Sequence, residues 1–165
     1  GHDPQAVMLF QPDSRARISA DALWERGSAI IFPELYGDAV FAAAHLALDR
    51  IQALAPRIVI PGHGPAFTGV AAAIEASRSR LAAFEREPQR HLRYAARALL
   101  MFRLLEVRRC DHEQLLDWML GTPIFQAMLA QGHNGLSGES LARQTIERLL
   151  ADGVIRRDGA ALGVV

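Results

Sequence analysis

Three side chains in the first half of the chain are of types that hold a cation: His2, Asp21 and His63. Imidazole nitrogen and carboxylate oxygen are donors that zinc accepts, and mixed His/Asp sites accept iron and manganese as well. His63 has the most constrained surroundings. It stands in "IVIPGHGPAF", residues 58–67, between Gly62 and Gly64, with Pro61 and Pro65 outside them. Glycine opens backbone angles closed to other residues, and proline fixes φ. A loop stiffened this way orients a ligand before any cation arrives and so lowers the entropy lost on binding. A stiff turn that merely contains a histidine is the plain alternative. Asp21 has a plain alternative too, as a turn or N-cap residue. Spacing alone leaves both pairs of readings open.

The elements that must position these residues can be read from periodicity. Asp21 follows "RARISA" (15–20), whose polar/apolar alternation is that of a strand, and His63 follows the apolar strand "RIVI" (57–60). Ligands in α/β layers bind at the carboxyl ends of strands, where both residues would stand. "VMLF" (7–10) reads as an earlier strand, and "QPDS" (11–14) as the turn of a β-hairpin. "SAIIFPEL" (28–35) is a short apolar run ended by Pro33. From Asp38, a plausible N-cap, to Ala55, apolar residues recur at three and four: Val40, Phe41, Ala44, Leu48, Ile51 and Leu54. That spacing predicts an amphipathic helix, stopped by Pro56, and a second helix is expected over 68–87. Strands alternating with helices indicate α/β layering.

From Pro88 the texture is helical, with helices expected over about 88–109, 111–120, 122–131 and 137–152. Asp111 with Gln114 has capping-box spacing, Ser137 is placed to cap the last helix, and Gly153 to close it. "VIRRDGAALGVV" (154–165) holds two strand-like runs around the turn signal Asp158-Gly159. Helices followed by a hairpin describe a winged-helix-like module, so the expected domains are 1–87 and 88–165. Between Pro88 and Arg109 stand Arg90, Arg93, Arg97, Arg103, Arg108 and Arg109 against one acid, Glu106. Arg90, Arg93 and Arg97 share a helix face, and with Arg156 and Arg157 on the wing they are candidate phosphate contacts. The weightier alternative is a solvated face whose arginine stems cover apolar neighbours.

Composition sets the outer bounds. The chain has 165 residues, half of them hydrophobic, enough for one ordinary domain or two small ones with a normal core. Its 18 basic and 18 acidic residues cancel, which excludes a polyanion binder by net charge and leaves only a local patch. Every basic residue is Arg, and with abundant Ala this suggests a GC-rich bacterial source. The single cysteine, Cys110, excludes an internal disulfide and fits a reducing compartment, the cytoplasm. No apolar run approaches the roughly 18 residues of a membrane span.

Taken together, Gly1-His2, "SADALWE" (19–25) and "IVIPGHG" (58–64), in this order and relative spacing, resemble the second half of the metallo-β-lactamase superfamily over about residues 1–86. The resemblance implies the second half of an αββα fold followed by the helical domain. It implies that His2 completes a first metal's histidine set, that Asp21 bridges two metals as the catalytic carboxylate, and that His63 ligates the second. The implied cofactor is zinc, two ions in the intact protein, with iron or manganese as alternatives. The implied reaction is attack of metal-activated water on an ester, thioester, amide or phosphodiester. Trp24 and Tyr36 would stand at the mouth of the cleft as substrate contacts, with core packing the alternative for Trp24.

The superfamily's early His-x-His-x-Asp-His motif is not in this chain, and His45, His91, His112 and His133 do not reproduce it. Asp3 also follows His2 where Ser or Thr is common in the family. The chain is therefore expected to be a C-terminal portion that binds zinc weakly or not at all and is inactive alone. The second half is similar to the helical extension of the lactamase-β-like branch, some of whose members are single-strand endoribonucleases. A hydrolase of small molecules is the leading expectation. A ribonuclease using the Arg-rich helix is the second, and a non-catalytic partner-binding module the third. Because one sheet of the implied fold belongs largely to the absent half, Val7, Leu9 and Ile18 are expected to form an exposed apolar patch, through which two copies pair as a homodimer unless that half covers it.

Overall fold

The computed structural model describes residues 6–27, 29–37, 39–131 and 137–165. The chain divides into two compact units, Gly1–Arg86 and Glu87–Val165, each mixing helices with a small sheet.

The first unit opens with the hairpin β1 (Leu9–Gln11) and β2 (Ala16–Ala20). Its turn is closed by Gln11, whose Oε1 accepts from the Ser14 amide and hydroxyl at 2.6 and 2.7 Å. Then come α1 (Pro33–Tyr36), α2 (Ala39–Leu54), β3 (Ile58–Pro61) and α3 (Val70–Arg86). The sheet order is β1-β2-β3, antiparallel in the hairpin and parallel between β2 and β3. The crossover between the parallel strands carries α1 and α2. The last carbonyls of α2 lack helical partners, and Arg15 supplies them by donating to the Leu54 and Ala55 oxygens. The run at 28–35 ends differently from its expectation. Pro33 opens α1 at its first position, where the missing N–H costs nothing, instead of only stopping an extended run. Asp38, the expected N-cap of α2, lies outside the described residues.

The core of this unit gathers Leu23, Ile31, Val40, Leu48, Ile51, Val59, Phe67, Val70, Ile74 and Leu81. Val59, Ser19 and Arg17 are buried on one face of the sheet. On the other face Leu9 pairs with Ile18 and Ile18 with Ile60, so side chains of three strands form one apolar row. All three are exposed, as is Val7.

The second unit runs α4 (Pro88–Val107), β4 (Arg109–Asp111), α5 (His112–Gly121), α6 (Pro123–Gln131), α7 (Gly138–Ala151), β5 (Ile155–Asp158) and β6 (Ala161–Val164). Its sheet is antiparallel in the order β4-β6-β5. Two expectations change here. The helix expected over 88–109 ends at Val107, because Arg108 takes φ +65° and its N–H donates back to Leu104. Residues 109–111 then pair with β6, a contact that no local pattern announces. Asp111 does flank α5 as its N-cap, yet its side chain makes no capping hydrogen bond, so the capping box does not form. Ser137 does cap α7, its Oγ accepting from the Ser140 N–H at 3.1 Å. Gly153 (φ +67°) and Gly159 (φ +62°) take the left-handed turns expected of them. The side chains of Leu100, Leu104, Leu115, Met119, Phe125, Met128, Leu141, Ile146, Leu149 and Leu162 fill this unit's interior.

Candidate functional site

The parallel pairing of β2 with β3 decides where Asp21 and His63 go. Ala16 faces Ile58, Arg17 faces Val59 and Ile18 faces Ile60, after which the register slips and Ala20 faces Pro61. Both strands therefore end together, and Asp21 and the Gly62-His63 loop emerge at the same carboxyl edge. Ala20 is bent to φ +46° to make the turn, a left-handed conformation that costs a non-glycine residue roughly 1 kcal/mol. Three hydrogen bonds hold it there. Gly62 N–H donates to Ala20 O at 2.8 Å, and Ala22 N–H to Ser19 O at 2.9 Å. The fully buried Ser19 hydroxyl donates to Leu23 O at 2.8 Å.

The result is a three-member cluster. His63 Nε2 lies 3.5 Å from Asp21 Oδ1. Trp24 Nε1 donates to the same Oδ1 at 3.2 Å. The Trp24 and His63 rings meet edge-on, with centroids 4.9 Å apart and planes at 73°. The Asp21 side chain is 28% exposed and that of His63 68%, so the pair is open to solvent on one side.

The two glycines that flank His63 have different tasks. Gly64 sits at φ +89° with open space where a Cβ would be, so its role is conformational. Gly62 takes no such angle. A Cβ there would stand 2.7 Å from Asp21 Oδ1 and 3.2 Å from the Ala20 carbonyl carbon. Gly62 is small because the carboxylate and the end of β2 lie directly against it.

A carboxylate and an imidazole suit a borderline cation, and their separation can be tested against one. Metal–ligand bonds near 2.1 Å in a tetrahedral site put neighbouring ligand atoms about 3.4 Å apart. The observed 3.5 Å matches that edge, so the two donors fit part of a cation's ligand set. Among the described residues no third His, Cys, Asp or Glu joins them. His2 lies outside the described residues.

The other residues singled out from the sequence are placed as follows. Tyr36 ends α1 half exposed. Trp24 spends its N–H on Asp21, a use that neither a cleft-mouth role nor core packing anticipates. His45 Nε2 faces Glu85 at 3.2 Å, and His91 is buried on α4. His112 bonds Glu113 at 2.9 Å and, with help from Arg143, holds that carboxyl below its usual range. His133 lies outside the described residues.

Arg90 and Arg93 are exposed on α4, but Arg97 is bound to Asp152 at 2.6 Å. That hydrogen bond, together with Arg148, holds the Asp152 carboxyl below its ordinary value. Arg156 is exposed on β5, and Arg157 approaches Glu147 at 3.8 Å. Sequence reasoning missed the Trp24 hydrogen bond, the Ser19 anchor and the strain at Ala20. Of these only the Asp-x-x-Trp spacing leaves a trace in the sequence.

No family model and no curated protein matches the chain. Among solved structures it is similar to a metallo-beta-lactamase family protein from Thermus thermophilus, at 17% identity and a TM-score of 0.46. It is also similar to a beta-lactamase domain protein from Burkholderia ambifaria, at 22% identity and a TM-score of 0.41. Each similarity takes in 100% of this chain, but 47% and 45% of those two chains respectively. The chain therefore spans less than half the length of either of these two proteins.

Proposed function

We propose that this chain contributes Asp21 and His63 to a metal-dependent hydrolytic site. The observation that carries the proposal is their convergence, 3.5 Å apart, at the carboxyl ends of two neighbouring parallel strands. Two donors are fewer than the three that catalytic zinc sites draw from protein, and His2 is proposed as a further ligand. Zinc is the proposed cation, two ions in the complete site, with iron and manganese as alternatives because the donor set suits all three. A cation held by these residues would lower the pKa of a bound water, so that hydroxide forms near neutral pH as the nucleophile for an ester, thioester, amide or phosphodiester. Asp21 would hold and orient that hydroxide. His63 contributes one neutral ring nitrogen, and the Gly62–Gly64 loop fixes the direction in which that nitrogen points.

Calorimetric titration with zinc, carried to millimolar concentration because few donors bind weakly, tests the proposal. Saturable binding is expected, weakened at least about tenfold by Asp21→Asn and by His63→Ala. No saturable binding, or binding indifferent to both substitutions, would overturn it.

A small-molecule substrate is preferred to RNA. Arg97 is engaged by Asp152 and Arg157 lies near Glu147, which leaves a short and broken line of arginines for phosphates. The order helix, strand, helices and hairpin, with β6 central in the sheet, supports a winged-helix-like reading of the second unit. Such a shape serves a partner as readily as a nucleic acid. Among the described residues no helix is long and apolar enough to cross a membrane.

Self-pairing through the Leu9–Ile18–Ile60 row is the proposed association. Sedimentation at micromolar concentration should show dimer, and Ile18→Glu should shift it to monomer. A parent chain that sediments as monomer throughout would rule this pairing out.

A further inference from the structure

We infer that Trp24 is a positioning residue of this site, one side chain that sets both donors at once. Its N–H holds the Asp21 carboxylate at 3.2 Å, and its ring braces the His63 imidazole at 4.9 Å. The inference rests on the proposal that Asp21 and His63 bind a cation.

The oxygen that accepts the indole hydrogen bond is the same Oδ1 that faces His63 Nε2. Rotation of the carboxylate would therefore break the Trp24 bond and change the Asp21–His63 spacing together. An indole is a donor only, so Trp24 cannot bind a cation itself and acts through the groups it touches. It is also anchored from behind. Leu23, its neighbour in the chain, is buried, and the Leu23 carbonyl is tied to the buried Ser19 hydroxyl. Gly27 backs the indole, its missing Cβ lying 3.6 Å from Trp24 Cε3. The backbone that carries the ring is thereby tied to a buried turn. Packing alone would be served by any aromatic ring. The N–H directed at a partly exposed carboxylate is the part that packing does not explain.

Trp24→Phe keeps a ring against His63 and deletes the N–H. Zinc affinity should fall about tenfold or more, as it does when an outer partner of a ligand is removed. Fluorescence supplies a readout that loss of structure would not mimic. The chain has two tryptophans, so Trp118→Phe leaves Trp24 as the sole tryptophan, excited apart from the two tyrosines at the red edge of the absorption band. Zinc should then change the Trp24 emission with the midpoint seen by calorimetry, and His63→Ala should remove that change. Should Trp24→Phe fail to fold, replacement of Trp24 by its benzothiophene isostere, which has sulfur in place of the N–H, repeats the test at constant shape. Equal zinc binding by the parent and the N–H-deleted chain overturns the role of Trp24 while leaving the Asp21–His63 site standing. Absence of saturable zinc binding in the parent overturns both.

Discussion

Gly62→Ala should cost the Asp21–His63 pair about a hundredfold in zinc affinity, the upper end of what changes just outside a ligand shell produce, while the chain still folds. The added methyl would stand 2.7 Å from Asp21 Oδ1, closer than a Cβ approaches an atom it is not bonded to, so something must shift. The carboxylate is the end of a side chain and can rotate off, but it then leaves His63 and Trp24. The Ala20 backbone, at 3.2 and 3.3 Å, has less room to give, because Gly62 N–H already binds its carbonyl. Overpacking of this kind costs about 1–3 kcal/mol in stability. Gly64→Ala is the control. Nothing lies within 4 Å of its missing Cβ, but its φ of +89° strains any other residue. It should lose about 1–2 kcal/mol of stability with little loss of zinc affinity. Calorimetry and thermal melts on the two variants separate the roles. If the alanine at 64 harmed binding as much as the alanine at 62, the division of labour between the glycines would be wrong.

Phe125→Ala should be the most damaging single truncation in the second unit. Among the described residues Phe125 is the bulkiest fully buried side chain, and α6, which carries it, packs on α5. Removing a buried phenyl costs about 3–5 kcal/mol, part lost transfer energy and part cavity. Small domains are held by as little as about 5 kcal/mol, so the unit would be left near its unfolding threshold. Urea unfolding followed at Trp118, on the adjacent α5, should show the midpoint falling by about 2 M for a slope near 2 kcal/mol per M. A fall of less than about 0.5 M would mean that neighbouring side chains collapse into the space and that Phe125 is not the keystone of this interior.

Much of the fold is legible in the sequence because it is local. The hairpin before Ala20, the helix that becomes α2, the strand at 58–61 and the capped α7 each carry their own periodicity and punctuation. The exposed row through Leu9 and Ile18 follows from the resemblance to a longer fold and not from local alternation, for on β2 the polar Arg17 and Ser19 face the interior and the apolar Ile18 faces out. The failures have identifiable causes, some local and one at long range. The end of α4 has no Gly or Pro to mark it, because Arg108 supplies the left-handed residue itself. The strand β4 exists only through its pairing with β6, which lies at the far end of the second unit's sequence. Pro33 serves equally as a stop and as a helix start, and only the chain that follows selects between them.

The candidate site divides along the same line. By itself the sequence determined that His63 sits in a stiffened loop after one strand, that Asp21 follows another, and that both residues are of metal-binding type. Tertiary structure decided that the two strands are parallel neighbours, that their ends coincide after a register slip, and that Gly62 is needed for space while Gly64 is needed for its angle. It also decided that Trp24 gives its N–H to Asp21. The reason is physical. Periodicity and turn chemistry act over a few residues and fix which face of an element is buried. The distance between residues from separate strands depends on sheet register, which is set by the packing of the whole unit.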